Sequence, residues 1–238
     1  MRRFYASPDS FEGNMVHLDE HESHHLFSVL RLKVDDEVDL FDGEGREFRC
    51  RVASAAKRIA ALEMLQRAEP SAPESPLTIS LAAALMKGDK TDLCIQKAVE
   101  LGVAAFVPLI TSRTEKLPKN LEKQMSRWHR IALDATKQCG RAKLMSVSEP
   151  IEFSEFISRV EGKCLFFSER GGGNMPATIT DSITVIVGPE GGWEDEEIET
   201  ARRDQSIELV TLGGRIMRAE TAAIALTAIV QHRFGDLK

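Results

Sequence analysis

Three prolines within seven residues, Pro70, Pro73 and Pro76, force this chain to be read as two parts. Each removes a backbone donor and fixes φ, so neither a helix interior nor a central strand can run through the segment. The reading that follows is a domain at 1–70, a linker at 71–76 and a second domain at 77–238. With 238 residues, 42% of them hydrophobic, the chain has enough apolar surface for an ordinary core. Upstream of the prolines, the runs 37–41 and 48–52 flank Asp42-Gly43-Glu44-Gly45, which predicts two antiparallel strands joined by a turn. The stretch 20–32 predicts a helix with Leu26, Val29, Leu30 and Leu32 along its apolar stripe. This part is small and β-rich.

Downstream the pattern changes to apolar runs alternating with amphipathic segments, the mark of an α/β domain with a largely parallel sheet. Strands are predicted at 77–85, 103–110, 144–147, 164–167, 183–187 and 207–212. Helices are predicted after Asp89, read as an N-cap, up to Gly102, and near 120–139, 153–160, 194–204 and 220–233.

Net charge is −6, yet it is unevenly spread. Residues 77–150 hold 12 Lys/Arg against 7 Asp/Glu, whereas 1–70 hold 10 against 14 and 151–238 hold 9 against 15. The basic middle is a candidate phosphate-tracking surface. Cys50, Cys94, Cys139 and Cys164 form no CxxC pair and read as small apolar side chains in a reducing compartment, the cytoplasm. The N-terminus has no apolar run of a signal peptide, and no stretch is long enough to span a membrane. His21, His24 and His25 lack clustered partner ligands, so no metal site is expected. Trp128 and Trp193 read as packing residues, and Gly171-Gly172-Gly173 as a flexible loop.

Two strand-to-helix segments carry the chemistry. Val187-Gly188-Pro189-Glu190-Gly191-Gly192-Trp193 follows an apolar run, and its three glycines permit close approach of a ligand to the backbone. The helix after it opens with Glu194-Asp195-Glu196-Glu197, which complements the helix dipole and repels phosphate. A nucleoside carrying a cationic sulfonium is therefore better suited to this loop than a nucleoside triphosphate. The second segment, Leu212-Gly213-Gly214-Arg215-Ile216-Met217-Arg218-Ala219-Glu220-Thr221-Ala222, joins the last predicted strand to an Ala-rich helix.

Together these segments resemble the GPEGG and LGxRILRxETA signatures of the bacterial 16S (small-subunit) ribosomal RNA uracil-N3 methyltransferases, with Met217 in place of a leucine. Lys87-Gly88-Asp89-Lys90, Gln96 to Val103, Gln138 to Arg141, Val29-Leu30-Arg31 and Leu40 to Gly43 extend the resemblance over nearly the whole chain. The resemblance implies an N-terminal PUA-like β-barrel and a C-terminal SPOUT α/β domain with a deep trefoil knot, a device that sequence rules alone would not propose. It also implies a homodimer and S-adenosylmethionine (SAM) as cofactor, held by Phe167, Gly188, Pro189, Glu190, Gly191, Gly192, Leu212, Gly213, Ile216, Met217 and Arg218.

The implied reaction is methylation of N3 of a specific uridine, on the assembled small subunit and without a metal. Uracil N3 keeps its proton at neutral pH, so Arg218 and Arg215 are candidates for stabilising the base as an anion, and Glu190 for removing the proton or orienting. Candidate RNA contacts are Arg2, Arg3, Arg31, Lys87, Lys90, Arg113, Lys116, Gln138 and Arg141. Two rivals stand beside this reading: a non-catalytic RNA-binding or ribosome-assembly protein, and a SPOUT enzyme acting on another RNA. Binding of SAM separates the first, and the identity of the methylated nucleoside the second.

Overall fold

The computed structural model describes residues 2–55, 59–115, 117–179 and 181–238. The chain divides into two compact units, Met1–Glu74 with Thr136–Leu144, and Ser75–Ala135 with Met145–Lys238.

In the first unit, β1 (Arg3–Tyr5), β2 (Phe11–Glu12), β3 (Met15–His17), β4 (Glu37–Phe41), β5 (Glu47–Ala55) and β6 (Ala60–Ala68) form a six-stranded sheet in the order β1-β4-β5-β6-β3-β2. Among the pairings of these described strands, only β1–β4 is parallel. Among the described residues the ladder ends at β1 and β2 without a pairing that joins them. The turn expected at 42–45 closes the β4–β5 hairpin. Gly43 and Gly45 take positive φ, and the Asp42 carboxylate accepts from the backbone N–H groups of Glu44 and Arg46 at 2.9 and 3.0 Å. One apolar face, including Phe4, Val16, Leu40, Val52 and Leu62, forms the core.

Helix α1 (Glu20–His24) starts where Asp19 caps it, accepting from the Glu22 N–H at 2.7 Å. The stripe expected over 20–32 does not continue. The helix widens into a π-turn over His25–Val29, and Arg31 at φ 53° ends it. Leu26 and Leu32 stay buried while Val29 is turned outward, 60% exposed.

Two cations expected to face RNA are instead internal. Arg3, 2% exposed, donates twice to Glu47 and once each to the carbonyls of Thr136 and Arg141, at 3.1, 2.9, 3.0 and 2.6 Å. Arg141, 4% exposed, forks onto Glu74 at 3.0 and 2.6 Å. Burial forces such groups to pair, and their donors are committed to that pairing. Lys137 likewise serves the buried Glu22, at 2.6 and 2.8 Å.

The second unit is α/β. Its strands are β7 (Thr78–Ala84), β8 (Ala105–Ile110), β9 (Ser146–Val147), β10 (Ile151–Glu152), β11 (Cys164–Phe167), β12 (Ser182–Val187) and β13 (Ile207–Val210). They pair in parallel throughout, in the order β10-β8-β7-β12-β11-β13 with β9 beside β8. Interior strands β7, β11 and β12 read as near-continuous apolar runs because both of their faces are covered. β10 escaped the sequence reading; its two residues are too short to show a period.

Helices α2 (Lys90–Glu100), α3 (Leu121–Cys139), α4 (Phe153–Arg159), α5 (Asp195–Arg203) and α6 (Ala219–Phe234) fall close to the expected places. Asp89 precedes α2, but its side chain makes no capping bond. The Thr91 hydroxyl instead ties the helix start to the Met86 N–H at 3.1 Å. α6 returns from the β13 edge to lie against α2, β7 and β12. Trp193 sits in the core with its ring centroid 4.4 Å from that of Phe166 and 5.1 Å from that of Phe153.

Candidate active site

Strands β12, β11 and β13 are neighbours and parallel, so the loops after their carboxyl ends meet on one edge of the sheet, where α/β folds place ligands. These loops enclose a cavity of about 330 Å³, within the range of small-molecule sites. Phe167, Ser168 and Glu169 form one wall, Val187 to Trp193 a second, and Leu212 to Met217 a third, with Ala219, Ala222 and Leu226 of α6 behind. Of the residues expected to hold the cofactor, only Arg218 stands outside the lining. It is exposed at the N-cap of α6. Ser168, expected beside Phe167 as a third wall, and Gly214, within the expected loop 212–218, also line the cavity, whereas Glu169, Trp193 and the α6 residues were missed, because strand ends and helix faces show no local signature of a ligand.

The loop after β12 is braced from several sides. A Cβ on Gly188 would stand 2.7 Å from the Trp193 ring, so only glycine lets that ring close beneath the loop. The Trp193 indole N–H donates to the Phe167 carbonyl at 2.9 Å, linking this loop to the end of β11. Arg113 donates to the Gly191 carbonyl and, at 2.7 Å, to Glu194, and that guanidinium holds the Glu194 carboxyl below its usual range.

The acidic helix start is thus partly spent on structure. Glu194 and Glu197 form a reciprocal capping box, and the buried Glu197 also accepts from the Ser112 N–H at 2.9 Å. Asp195 pairs with Arg170 at 2.9 Å. Glu190 is paired with Lys90, whose ammonium is pushed to higher pKa by that hydrogen bond. Lys90 also lies 3.7 Å from Glu220 Oε1. The other oxygen of Glu220 is the one buried side-chain polar atom without a partner among the described residues.

The loop after β13 is bare. Gly213 has φ 65°, and no heavy atom lies within 4 Å of where a Cβ would stand on Gly213 or Gly214. Arg215, Ile216, Met217 and Arg218 are all exposed, Ile216 to 89%. The triple glycine at 171–173, expected to be flexible, is laid against β13. Gly173 exchanges backbone hydrogen bonds with Leu209 and Thr211 at 2.9 Å each, and a Cβ on Gly172 would meet Val210 at 2.6 Å.

Three cations expected to contact RNA hold carboxylates around this site: Lys87 on Glu115, Lys90 on Glu190 and Arg113 on Glu194. Arg2 lies 3.6 Å from Asp36, Gln138 and Arg31 are exposed, and Lys116 falls outside the described residues. Among the described residues no group of three or more His, Cys, Asp or Glu is placed to hold a metal ion, and no helix is long and apolar enough to cross a membrane.

The lining suits a nucleoside with a positive centre. Leu212, Ile216, Met217 and Leu226 offer apolar surface for a base, glycine backbone offers polar groups at close range, and Glu169 and Glu190 bring negative charge. Gly213 and Gly214 leave space that side chains would otherwise fill.

An RNA methyltransferase domain is matched at residues 73–231, and an RNA methyltransferase PUA domain at 18–65. The chain belongs to the RNA methyltransferase family. Two relatives named ribosomal RNA small subunit methyltransferase E match nearly all of this chain: that of Rickettsia conorii is 31% identical across 97% of this chain and 94% of its own. That of Synechocystis is 34% identical across 95% and 76%. The crystal structure of such an enzyme from Neisseria gonorrhoeae bound to SAM superposes with a TM-score of 0.91 at 33% identity, covering all of both chains. A methyltransferase from Legionella pneumophila, in complex with SAM, gives 0.90 at 31% identity, covering 99% and 98%. The cavity at the β11–β12–β13 edge of this RNA methyltransferase has the volume and the mixed apolar and acidic lining that a cofactor of that kind needs.

Proposed function

We propose that this chain is a SAM-dependent methyltransferase that modifies N3 of a specific uridine in 16S ribosomal RNA, on the assembled small subunit in the cytoplasm. The observation that carries the reading is the cavity walled by the 188–192 and 212–217 loops, in a chain alike end to end with two SAM-bound methyltransferases. In this proposal the second unit is a SPOUT domain with a trefoil knot, supported by a chain that crosses from β12 past β11 to β13 and returns as α6 against β7 and β12. The first unit is the PUA-like RNA-binding module. The working state is a homodimer, supported by the apolar exposure of Ile216, Met217 and Ile229.

SAM supplies an electrophilic methyl group. The chain's own part is to align it with the base in a dry pocket, and Trp193, Leu212 and Leu226 exclude water from the inner walls. Arg215, in the lining, and Arg218, at the adjoining helix start, stabilise the negative charge that develops on uracil as N3 loses its proton. Glu190, held by Lys90 at the cavity wall, takes that proton or orients the base. Uracil N3 lies in the pairing edge, so the target is an unpaired or everted nucleotide, read with its surroundings by Arg2, Arg31 and Gln138 among others.

The test is incubation of the protein with methyl-labelled SAM and small subunits lacking the modification, followed by digestion and identification of the labelled nucleoside. Label in 3-methyluridine is the expected result. Label in another nucleoside overturns the base assignment, and absence of SAM binding overturns the enzymatic reading.

A further inference from the structure

The cavity lining holds a carboxylate with no assigned work. Glu169 follows the end of β11, lines the cavity, and keeps its side chain 45% exposed. Its Oε1 stands 3.0 Å from where a Cβ on Gly192 would be, so it lies against the loop after β12. No described donor lies within hydrogen-bond distance of it. The nearest cation, Arg170 Nε, is 4.0 Å away, and that guanidinium already serves Asp195 at 2.9 Å and the Trp193 carbonyl at 3.0 Å. Arg113, the other cation at this wall, is committed to Glu194. Glu169, Glu194 and Asp195 thus share two cations on this wall, and Glu169 is the one of the three left without a hydrogen-bonded partner. Glu190, by contrast, has its own partner in Lys90.

We propose that Glu169 is a selectivity residue which favours the cationic methyl donor over its neutral demethylated product. The proposal rests on the SAM reading given above. SAM carries one more positive charge than S-adenosylhomocysteine, and the two are otherwise nearly the same shape, so contacts of shape alone separate them poorly. A carboxylate in the wall without a hydrogen-bonded partner separates them by charge, without direct contact, because the Coulomb interaction reaches across a partly dehydrated pocket. After transfer the charge is gone, and with it the extra affinity. The same group that helps load the donor thereby eases release of the product.

The experiment is calorimetric titration of the full-length protein and of Glu169→Gln with three probes: SAM, S-adenosylhomocysteine, and sinefungin, which carries an amine in place of the methylsulfonium. Thermal melting verifies that the variant is folded. The expected result is that SAM and sinefungin bind about three- to tenfold more weakly to the variant, while S-adenosylhomocysteine changes less than twofold. Raising the salt should narrow the difference. Glu199→Gln removes the same charge from an exposed pair with Arg202 on α5 and should leave the ratio unaltered. Equal weakening of all three ligands overturns the proposal, since it would mean that Glu169 touches a group they share. Unchanged binding of all three overturns it as well. Failure of the unaltered protein to bind any of them is a different result, which removes the cofactor reading itself.

Discussion

The two glycine segments that wall the cavity look alike in sequence and are built differently. The loop at 188–192 is closed over the Trp193 ring, tied to Lys90 and Arg113, and followed by a helix with a full capping box. The loop at 212–218 has open space around both glycines and six consecutive exposed residues, and it leads into a helix with no side-chain cap. Glycine in the first is a packing demand, and in the second a backbone freedom. The lesson is that one wall of the cavity is braced by the chain's own side chains, while the other leaves its side chains uncovered by the chain.

The largest effect should come from removing the brace. Trp193→Ala empties a fully buried site beneath the first loop and should cost about 3–5 kcal/mol, read from denaturant unfolding. A loss under 1 kcal/mol would break the contrast between the loops. Gly188→Ala drives a methyl into that ring and should cost about 1–3 kcal/mol, together with a weakened grip on SAM.

Arg218→Ala tests the open loop by a different readout. Turnover should fall by at least an order of magnitude while the SAM dissociation constant stays within twofold. Unchanged turnover removes Arg218 from the mechanism.

Acid sharpens the comparison further. The Glu194 carboxyl is held below its ordinary value near 4.5 by Arg113, so its bracing is complete above that pH and is lost as pH falls through the lowered value. Hydrogen exchange followed by mass spectrometry from pH 6 down to pH 3, corrected for intrinsic rates, should show protection falling at 188–192 and no matching change at 212–218. Smallest of all, Ile216→Ser should shift stability by less than about 0.5 kcal/mol, since the side chain touches little of its own fold. A larger loss that grows with protein concentration would locate a subunit contact there.

The parallel sheet was legible because β7, β11 and β12 are apolar on both faces, and the helices because their periods are long. Both glycine loops were legible too, whereas the placing of Thr136–Leu144 with the first unit was not, since a second domain was expected to run unbroken over 77–238. What escaped depends on distance along the chain. Arg3 and Arg141 carry charges that look free until Glu47 and Glu74 come to meet them from 44 and 67 positions away. The π-turn that exposes Val29 has no signal in residue types. Glu169 was overlooked because an acid after a short strand is ordinary, and becomes notable only when the nearby arginines are found to be taken.

The inclusion of Thr136–Leu144 in the first unit has a practical side. An excised fragment ending at Glu74 would strip Arg3 of two carbonyl acceptors and leave Glu22, 1% exposed, without Lys137. Arg3 would keep Glu47 but leave two of its buried donor contacts unmade, and Glu22 would become a buried carboxylate without its cation, a penalty of several kcal/mol. Grafting this module onto another protein, by recombination or at the bench, therefore has to carry two separate stretches of gene, and a single crossover at the prolines would deliver a misfolding half.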